Sequence, residues 1–284
     1  MIKDFEIIFA AIVANIHQTG YGLVTPQACK SWATPDFVDR VLIIDGNSID
    51  ETASSIQNAA GIKCEIIKSS VTWSPDQWTW ELLRVMENEI FEATSKLENP
   101  NKILIIQSTD TIYDEASLQE LKSAILALIE DKDKDYVNLS FKKAITKDYV
   151  SHTYPYMPNW YISSISKFRK GIEWGQISLG ECGISCNREI SRLNFNFKNQ
   201  PISYDMFCFE KKQIEMKIQR HVEFANKIKP TVDDYIIKWL NKLKNFGIYN
   251  FQSHPKEANF FLEKLTSEHF GYNLFGHVKD IGKK

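Results

Sequence analysis

Four short apolar runs, separated by segments with helical periodicity, constrain the fold of this chain most strongly. The runs cover residues 6–16, 40–45, 63–68 and 102–107. In the first two runs the apolar residues are consecutive rather than alternating, which is typical of strands buried on both faces. The intervening pattern predicts helices at 27–32, 50–59, 77–97 and 115–130. Strands separated by helices imply a mainly parallel sheet of the α/β class, with helices on its faces.

Composition excludes several classes of protein. The 284 residues are 43% hydrophobic and 25% charged, which is ordinary for a globular protein and unlike a disordered or collagen-like chain. A formal net charge of -2 predicts no general attraction to nucleic acid or to an anionic membrane. The longest apolar run, 7–14, is too short to span a bilayer, and only one basic residue precedes it. We therefore expect a cytoplasmic protein with no transmembrane segment and with reduced cysteines.

The second half of the chain has a different pattern. Residues 136–145 alternate like a strand with one wet face, and 152–174 are dense in aromatic residues and prolines, which favours irregular structure or antiparallel strands. From about residue 203 onward the pattern is mostly helical. The simplest organisation is one domain over 1–215, built from halves 1–120 and 121–215, with a helical extension over 216–284 packed on it.

Two acidic residues stand where predicted strands end. Asp45 closes the second apolar run, and Asp110 follows the fourth. In parallel sheets the ligand crevice lies beyond the carboxyl ends of the strands, so both carboxylates are candidates for binding or catalysis. The alternative interpretation is that they cap the helices that follow, which is a common role for Asp.

The residues around these acids resemble a known family. The segment 41–52, Val-Leu-Ile-Ile-Asp-Gly-Asn-Ser-Ile-Asp-Glu-Thr, resembles a signature of family-two-type glycosyltransferases: an apolar strand ends in Asp, and a short turn leads to a second Asp and a helix that starts with Thr. The family's second landmark is an apolar strand that ends in an Asp-x-Asp-like motif, and it resembles 102–114 with Asp110. An opening strand that ends near Asn15, and a helix that carries Arg84 and Asn88, also fit. The resemblance covers about residues 5–120.

This resemblance implies a GT-A fold, a mixed and mainly parallel Rossmann-like sheet flanked by helices. It also implies a nucleotide-diphosphate sugar as donor, with UDP-sugars the first expectation, and a divalent metal, Mn²⁺ or Mg²⁺. Residues 1–120 would then form the nucleotide-sugar half and 121–215 the acceptor half. Asp110 is the implied metal ligand. The implied donor-binding residues are Asn15, Asp45, Asn47, Arg84 and Ser108. Arg84 would pair with the diphosphate or, alternatively, bridge to Glu81 or Glu87 on the helix surface. Trp78 is a further candidate because an indole can stack on a sugar or a base, although a tryptophan at helical spacing is more often part of the core.

Chemistry supports a metal here, with one departure from the family pattern. A diphosphate leaving group gains negative charge as the glycosidic bond breaks, and a divalent cation can neutralise it. Hard cations prefer carboxylate oxygens and need only one or two from the protein when phosphates supply others. The family motif usually has two acids, whereas here the first position is Ser108. The metal would then bind weakly or need a later ligand, for which His221 and His254 are candidates.

An inverting transfer needs a general base to take the proton of the acceptor hydroxyl. The family places an acidic residue in the second half, and Asp205 is our first candidate. Glu181, flanked by Gly180 and Gly183, is the second, because glycines allow close backbone approach to a ligand. Each is a single acid, so capping or a surface role is the alternative. A retaining enzyme would need neither residue as a base.

The sequence predicts a metal-assisted glycosyltransferase that transfers a sugar to a hydroxyl group of an acceptor. A hexosyltransferase is the first expectation. The acceptor would be a glycan, a protein or a small molecule, with modified DNA a minority option. One rival is a sugar nucleotidyltransferase, although residues 14–22 lack the arginine that its phosphate loop usually carries. The other is a catalytically inactive GT-A-like module that binds a sugar or a partner protein, which Ser108 in place of an acid favours.

Overall fold

The computed structural model describes residues 2–73, 80–143, 149–150, 164–178, 181–186, 190–204 and 252–253. Its helices of four or more residues are α1 (Ile16–Thr19), α2 (Val24–Ala33), α3 (Thr52–Ala60), α4 (Trp80–Ser95) and α5 (Glu115–Glu130). The strands of the first half are β1 (Glu6–Val13), β2 (Arg40–Asp45), β3 (Cys64–Lys68), β4 (Lys102–Ile106) and β5 (Thr111–Ile112).

The later strands are shorter. They are β6 (Tyr136–Asn138), β7 (Lys142–Lys143), β8 (Tyr149–Val150), β9 (Ser164–Lys167), β10 (Ile172–Ser178), β11 (Glu181–Cys186), β12 (Ile202–Ser203) and β13 (Gln252–Ser253).

A six-stranded sheet organises the described part of the chain. Its strand order is β3-β2-β1-β4-β9-β6. The first four strands are parallel, β9 runs antiparallel to β4, and β6 runs antiparallel to β9. The predicted α/β class, with a mixed and mainly parallel sheet, is confirmed.

The two faces of this sheet bury separate apolar clusters. Successive side chains of a strand point to opposite faces of the sheet, so Phe9 of β1 lies in one cluster and Ile8 in the other. The first cluster lies under α2, α3 and α5, where Trp32 stacks on Phe9 with ring centroids 5.3 Å apart. The second lies under α4, whose Met86 and Ile90 cover the opposite face. Strand β1 is therefore buried on both sides, as its continuous apolar sequence predicts.

Several predicted boundaries were wrong by a few residues. Strand β1 ends at Val13 rather than at residue 16, because Asn15 adopts a left-handed backbone with φ of 48° and turns the chain. Helix α2 begins three residues before the predicted start, since Pro26 is tolerated within a first turn. Helix α4 is described only from Trp80 onward.

The strand predicted over 136–145 is divided into β6 and β7. Strand β6 belongs to the six-stranded sheet, whereas β7 pairs with β12 from much later in the chain. The antiparallel strands predicted within 152–174 are present where the structure describes them, as β9 and the start of β10. The predicted helices beyond residue 203 lie outside the described residues. Within that region only β13 is described, a two-residue strand paired with β8.

A carboxyl group on α4 links stability to pH. Glu87 follows the buried Met86, and burial raises the pKa of Glu87 to about 8. A raised pKa means that the folded state holds the proton more tightly than the unfolded state does. Its contribution to stability is therefore present at acidic pH and is lost as the pH rises toward 8.

We expect Glu87→Gln to remove this pH dependence, because the amide mimics the protonated acid and cannot ionise. Urea unfolding at pH 4 and pH 9 measures it: the variant should gain stability over the wild type at pH 9 and little at pH 4. Glu92→Gln, an exposed site on the same helix, is the matched control. An equal change at both pH values would contradict the assignment.

Candidate functional site

The strand order creates a switch point between β1 and β4. From β1 the chain moves to β2 and β3 on one side, and then crosses to β4 on the other side of β1. Ligand crevices of open α/β sheets lie at such a point, outside the carboxyl ends of the strands. Asn15 follows β1, Asp45 ends β2, and Asp110 follows β4, so the fold brings three predicted site residues to this edge.

Asp45 is fully buried, and both of its carboxylate oxygens have partners within the protein. Oδ1 accepts hydrogen bonds from the backbone N–H and the hydroxyl of Ser48. Oδ2 accepts from Lys68 Nζ at 2.6 Å. The Lys68 side chain is 57% exposed, whereas that of Asp45 is 0% exposed. Asp45 therefore closes the turn after β2, and Lys68 carries the charge that faces solvent.

Asn15 joins this turn to the end of β1. Its backbone has φ of 48°, a region in which asparagine is enriched. The Asn15 backbone N–H donates to Ser48 Oγ at 2.8 Å, and Asn15 Oδ1 accepts from the Ile49 N–H at 2.9 Å. The buried Asn15 side chain thus holds the turn against β1.

Asn47 joins the same turn to the loop after β3. Its backbone is also left-handed, with φ of 57°, and its Nδ2 donates to the carbonyls of Ser69 at 2.9 Å and Val71 at 3.0 Å. A Cβ atom at the neighbouring Gly46 would lie 2.9 Å from Trp73 Cβ, so the close approach of this loop requires glycine. The predicted donor residues of β2 therefore shape a rigid wall of the crevice.

Asp110 lies at the other side of the switch point and is 6% exposed. Its Oδ1 accepts from Thr111 Oγ1 at 3.0 Å and its Oδ2 from Ser203 Oγ at 3.1 Å. The Asp110 carbonyl accepts from the Tyr204 N–H at 2.9 Å. These bonds accompany the antiparallel pairing of β5 with β12. Each oxygen of the Asp110 carboxylate thus accepts a hydrogen bond from a hydroxyl group, and these bonds fix its orientation.

The donor set suits a metal that is shared with phosphates. Among the described residues, no group of three His, Cys, Asp or Glu side chains could hold a metal ion. Asp110 and the half-buried Ser108 alone therefore offer few ligands. Mg²⁺ and similar cations usually bind through one or two carboxylates together with substrate phosphates and water. Asp110 and Ser108 therefore fit a cation whose remaining ligands are supplied by a bound diphosphate.

Arg84 and Glu181 lie on other elements. Arg84 Nε donates to Glu81 Oε2 at 3.0 Å on α4, so it forms the helix-surface pair that was the alternative to binding diphosphate. Glu181 begins β11, where it pairs with Ser178 of β10. The remaining candidates lie outside the described residues. They are Trp78, Asp205, His221 and His254.

The sequence did not single out Lys68 or Ser203. Lys68 could have been found, because it ends a predicted strand, as Asp45 does, and has the opposite charge. Ser203 lies 93 residues from Asp110, and no local pattern indicates that the two meet.

No protein-family model matches this chain, and no curated protein sequence does. Solved structures show similarity at low sequence identity. TarS from S. aureus has a TM-score of 0.45 and 12% identity, over 98% of this chain and 88% of that chain. The mannosyltransferase PcManGT from Pyrobaculum calidifontis, in complex with GDP-Man and Mn²⁺, has a TM-score of 0.44 and 8% identity, over 97% and 79%.

A third similar structure belongs to a different class of enzyme. It is 4-diphosphocytidyl-2C-methyl-D-erythritol synthase from Anaerococcus prevotii, with a TM-score of 0.36 and 15% identity, over 58% of this chain and 71% of that chain. GT-A-type glycosyltransferases are thus among the solved structures similar to this chain. None of the described helices is both long and apolar enough to cross a membrane.

We expect Lys68→Met to destabilise the protein by about 1–3 kcal/mol, because it leaves the buried Asp45 carboxylate without its charged partner. Denaturant unfolding measures the change. The double variant Asp45→Asn with Lys68→Met should recover part of the loss, since it removes the unpaired charge. Lys96→Met, at an exposed position on the chain, is the control. If the single and double variants are equally destabilised, the ion pair does not account for the loss.

Proposed function

We propose that this protein is a metal-assisted glycosyltransferase that moves a hexosyl group from a nucleoside-diphosphate sugar to a hydroxyl acceptor. The observation that carries the proposal is the position of Asp110. Its carboxylate is fixed by two hydroxyl groups beside the switch point between β1 and β4, where a ligand crevice is expected. In this role Asp110 binds the cation, and the cation supplies charge neutralisation for the departing diphosphate.

The donor nucleotide would extend from Asp110 toward β2 and β3. Neighbouring strands are about 4.8 Å apart, so the ends of β4 and β2 are separated by about 10 Å across β1. A diphosphate at Asp110 therefore directs the nucleoside toward the Asp45 turn. Asn15 and Asn47 shape this wall, Ser108 borders the diphosphate, and Trp78 and Arg84 are further candidates for binding the donor. We take a UDP-sugar as the first donor to test.

Asp205 is the residue that we propose as general base for an inverting transfer. Its chain neighbour Tyr204 donates a backbone hydrogen bond to the Asp110 carbonyl, at 2.9 Å. Tyr204 therefore lies beside the proposed metal ligand, and Asp205 is the next residue in the sequence. Glu181 is the second candidate, on the antiparallel hairpin of β10 and β11 that contacts α4.

The loop after β1 disfavours the rival nucleotidyltransferase. Such an enzyme needs that loop to bind phosphate through backbone N–H groups. Here the N–H groups of His17 and Gln18 donate to the Asp50 carboxylate, at 3.0 and 3.3 Å. Burial raises the pKa of Asp50, but these bonds and those from Thr52 outweigh it and hold the pKa below its ordinary value. A carboxylate therefore occupies the donors that a phosphate would need.

A thermal-shift panel tests the proposal. UDP, GDP, CDP, TDP and their sugars are added with and without Mn²⁺. A ligand that binds only the folded state at about 100 times its Kd stabilises it by about 2.7 kcal/mol. We expect a metal-dependent shift with one nucleotide, and its loss in Asp110→Asn, which preserves the size of the side chain and removes its charge. Folded protein that responds to no nucleotide would overturn the proposal. Binding without sugar transfer would instead favour the inactive module.

Ser203 provides a second test, because it fixes the proposed metal ligand from a distant part of the chain. We expect Ser203→Ala to weaken metal-dependent nucleotide binding about fivefold, the effect of one lost hydrogen bond of about 1 kcal/mol. Titration calorimetry measures the Kd. Ser166→Ala is the matched control, since Ser166 is a buried serine that donates to the Leu104 carbonyl on β4. A similar loss of affinity in both variants would indicate general destabilisation.

A further inference from the structure

A polar cavity of about 450 Å³ lies beside the edge strand β6, away from the Asp45 turn. It opens where two chain segments separate. The segments meet where Leu193 N–H donates to the Tyr136 carbonyl at 2.8 Å, and again where Lys142 N–H donates to the Pro201 carbonyl at 2.9 Å. Between these contacts the chain from 194 to 200 is longer than the chain from 137 to 141, so it bows outward and leaves the cavity.

The outer wall of the cavity presents a row of polar side chains. Along residues 192–196 burial alternates, with Arg192, Asn194 and Asn196 exposed and Leu193 and Phe195 half-buried. All five line the cavity. Alternate residues of an extended chain lie about 7 Å apart on one side. The row therefore offers one guanidinium and two amide groups, about 7 Å apart, that can bind several polar groups of one extended ligand.

Arg192 differs from the other described arginines. Arg40, Arg84 and Arg169 each form an ion pair with a carboxylate of this chain. Within the described part of the structure, neither an ion pair nor a side-chain hydrogen bond involves Arg192, Asn194 or Asn196. An arginine without a carboxylate partner retains five donors, arranged to bind a planar anion.

The chemistry of the lining indicates the class of ligand. Among the described residues that line the cavity there is no acidic side chain, so its local charge is positive. Amide groups hydrogen-bond well to sugar hydroxyls as both donors and acceptors. The Phe195 ring, tilted against Phe197 at 4.8 Å between centroids, adds an apolar surface. This combination suits a polyhydroxylated ligand that carries one carboxylate or phosphate.

The cavity is close to the proposed reaction centre. Ser140 lines it and lies two residues before β7. Strand β7 pairs with β12, and Ser203 of β12 donates to Asp110. Paired strands are about 4.8 Å apart, so one strand separates the cavity's end from the Asp110 carboxylate. A ligand in the cavity could extend a hydroxyl group toward this edge of the sheet.

We propose that this cavity is an acceptor subsite for an anionic glycan, with Arg192 binding its carboxylate or phosphate and Asn194 and Asn196 its hydroxyl groups. The inference rests on the proposed glycosyltransferase function and names the class of its acceptor.

The test is direct binding of defined probes to the full chain, followed by ligand-observed NMR titration. The probes are cellobiose, its glucuronate-terminated counterpart cellobiouronic acid, glucose 6-phosphate and inorganic phosphate. We expect the two anionic sugars to bind about tenfold more tightly than cellobiose, the effect of one charge-assisted hydrogen-bond pair. Arg192→Gln should remove that difference, and the double variant Asn194→Ala with Asn196→Ala should weaken every sugar.

Lys198→Gln is the matched control, because it removes one positive charge from the same segment at an exposed residue outside the cavity lining. It should leave all affinities unchanged. Binding of phosphate as tight as that of the anionic sugars would overturn the glycan assignment, as would equal losses in Arg192→Gln and Lys198→Gln. If no probe binds while the metal-dependent nucleotide shift persists, the subsite is overturned and the transferase stands. If that shift is absent too, both proposals are overturned.

Discussion

The pairing of β1 between two parallel strands is the constraint on which the rest of this structure depends. Its residues bind β2 on one side and β4 on the other, in registers that place Val13 beside Asp45 and Ala10 beside Ile106. Both faces of β1 are covered, and its side chains from Ile7 to Val13 are all apolar. The chain leaves β1 toward β2 on one side and returns to β4 on the other side. Because the two connections diverge at this point, a crevice is expected at the carboxyl end of β1. The apolar core and the candidate site are consequences of one arrangement.

The position of Asp110 depends on contacts from residues that are distant in sequence on both sides of it. Trp32 of α2 donates its indole N–H to the Thr111 carbonyl at 3.0 Å, across 79 residues. From the opposite side, Ser203 binds the Asp110 carboxylate across 93 residues. A short strand such as β5 has little stability of its own, so these long-range bonds fix it. The candidate metal ligand is thereby rigid only when the second half of the chain is folded against the first.

Sequence reasoning succeeded where burial dictates residue type. Strands β1, β2 and β4 are mainly apolar because both of their faces are covered, and the alternation of strands with helices made the sheet class predictable. It predicted the strand-end positions of Asp45 and Asp110 for the same reason. It missed the pairing of Lys68 with Asp45, although two strand ends of opposite charge indicate it. It could not predict that β7 and β12 complete the Asp110 edge, because that depends on tertiary pairing. The roles of Asp205, Glu181 and Trp78 stay predictions, as does the domain boundary near residue 215.

A single carboxylate has a thermodynamic consequence for the proposed site. With Ser108 in place of a second acid, the described residues at this site supply little negative charge to a divalent cation, and the diphosphate would supply most of the other ligand oxygens. Metal and nucleotide would then bind far better together than separately. Such coupling is reciprocal, so the factor by which the cation strengthens nucleotide binding equals that by which the nucleotide strengthens cation binding. Departure of the nucleotide product would release the cation with it, and the loss of one acid would favour product release.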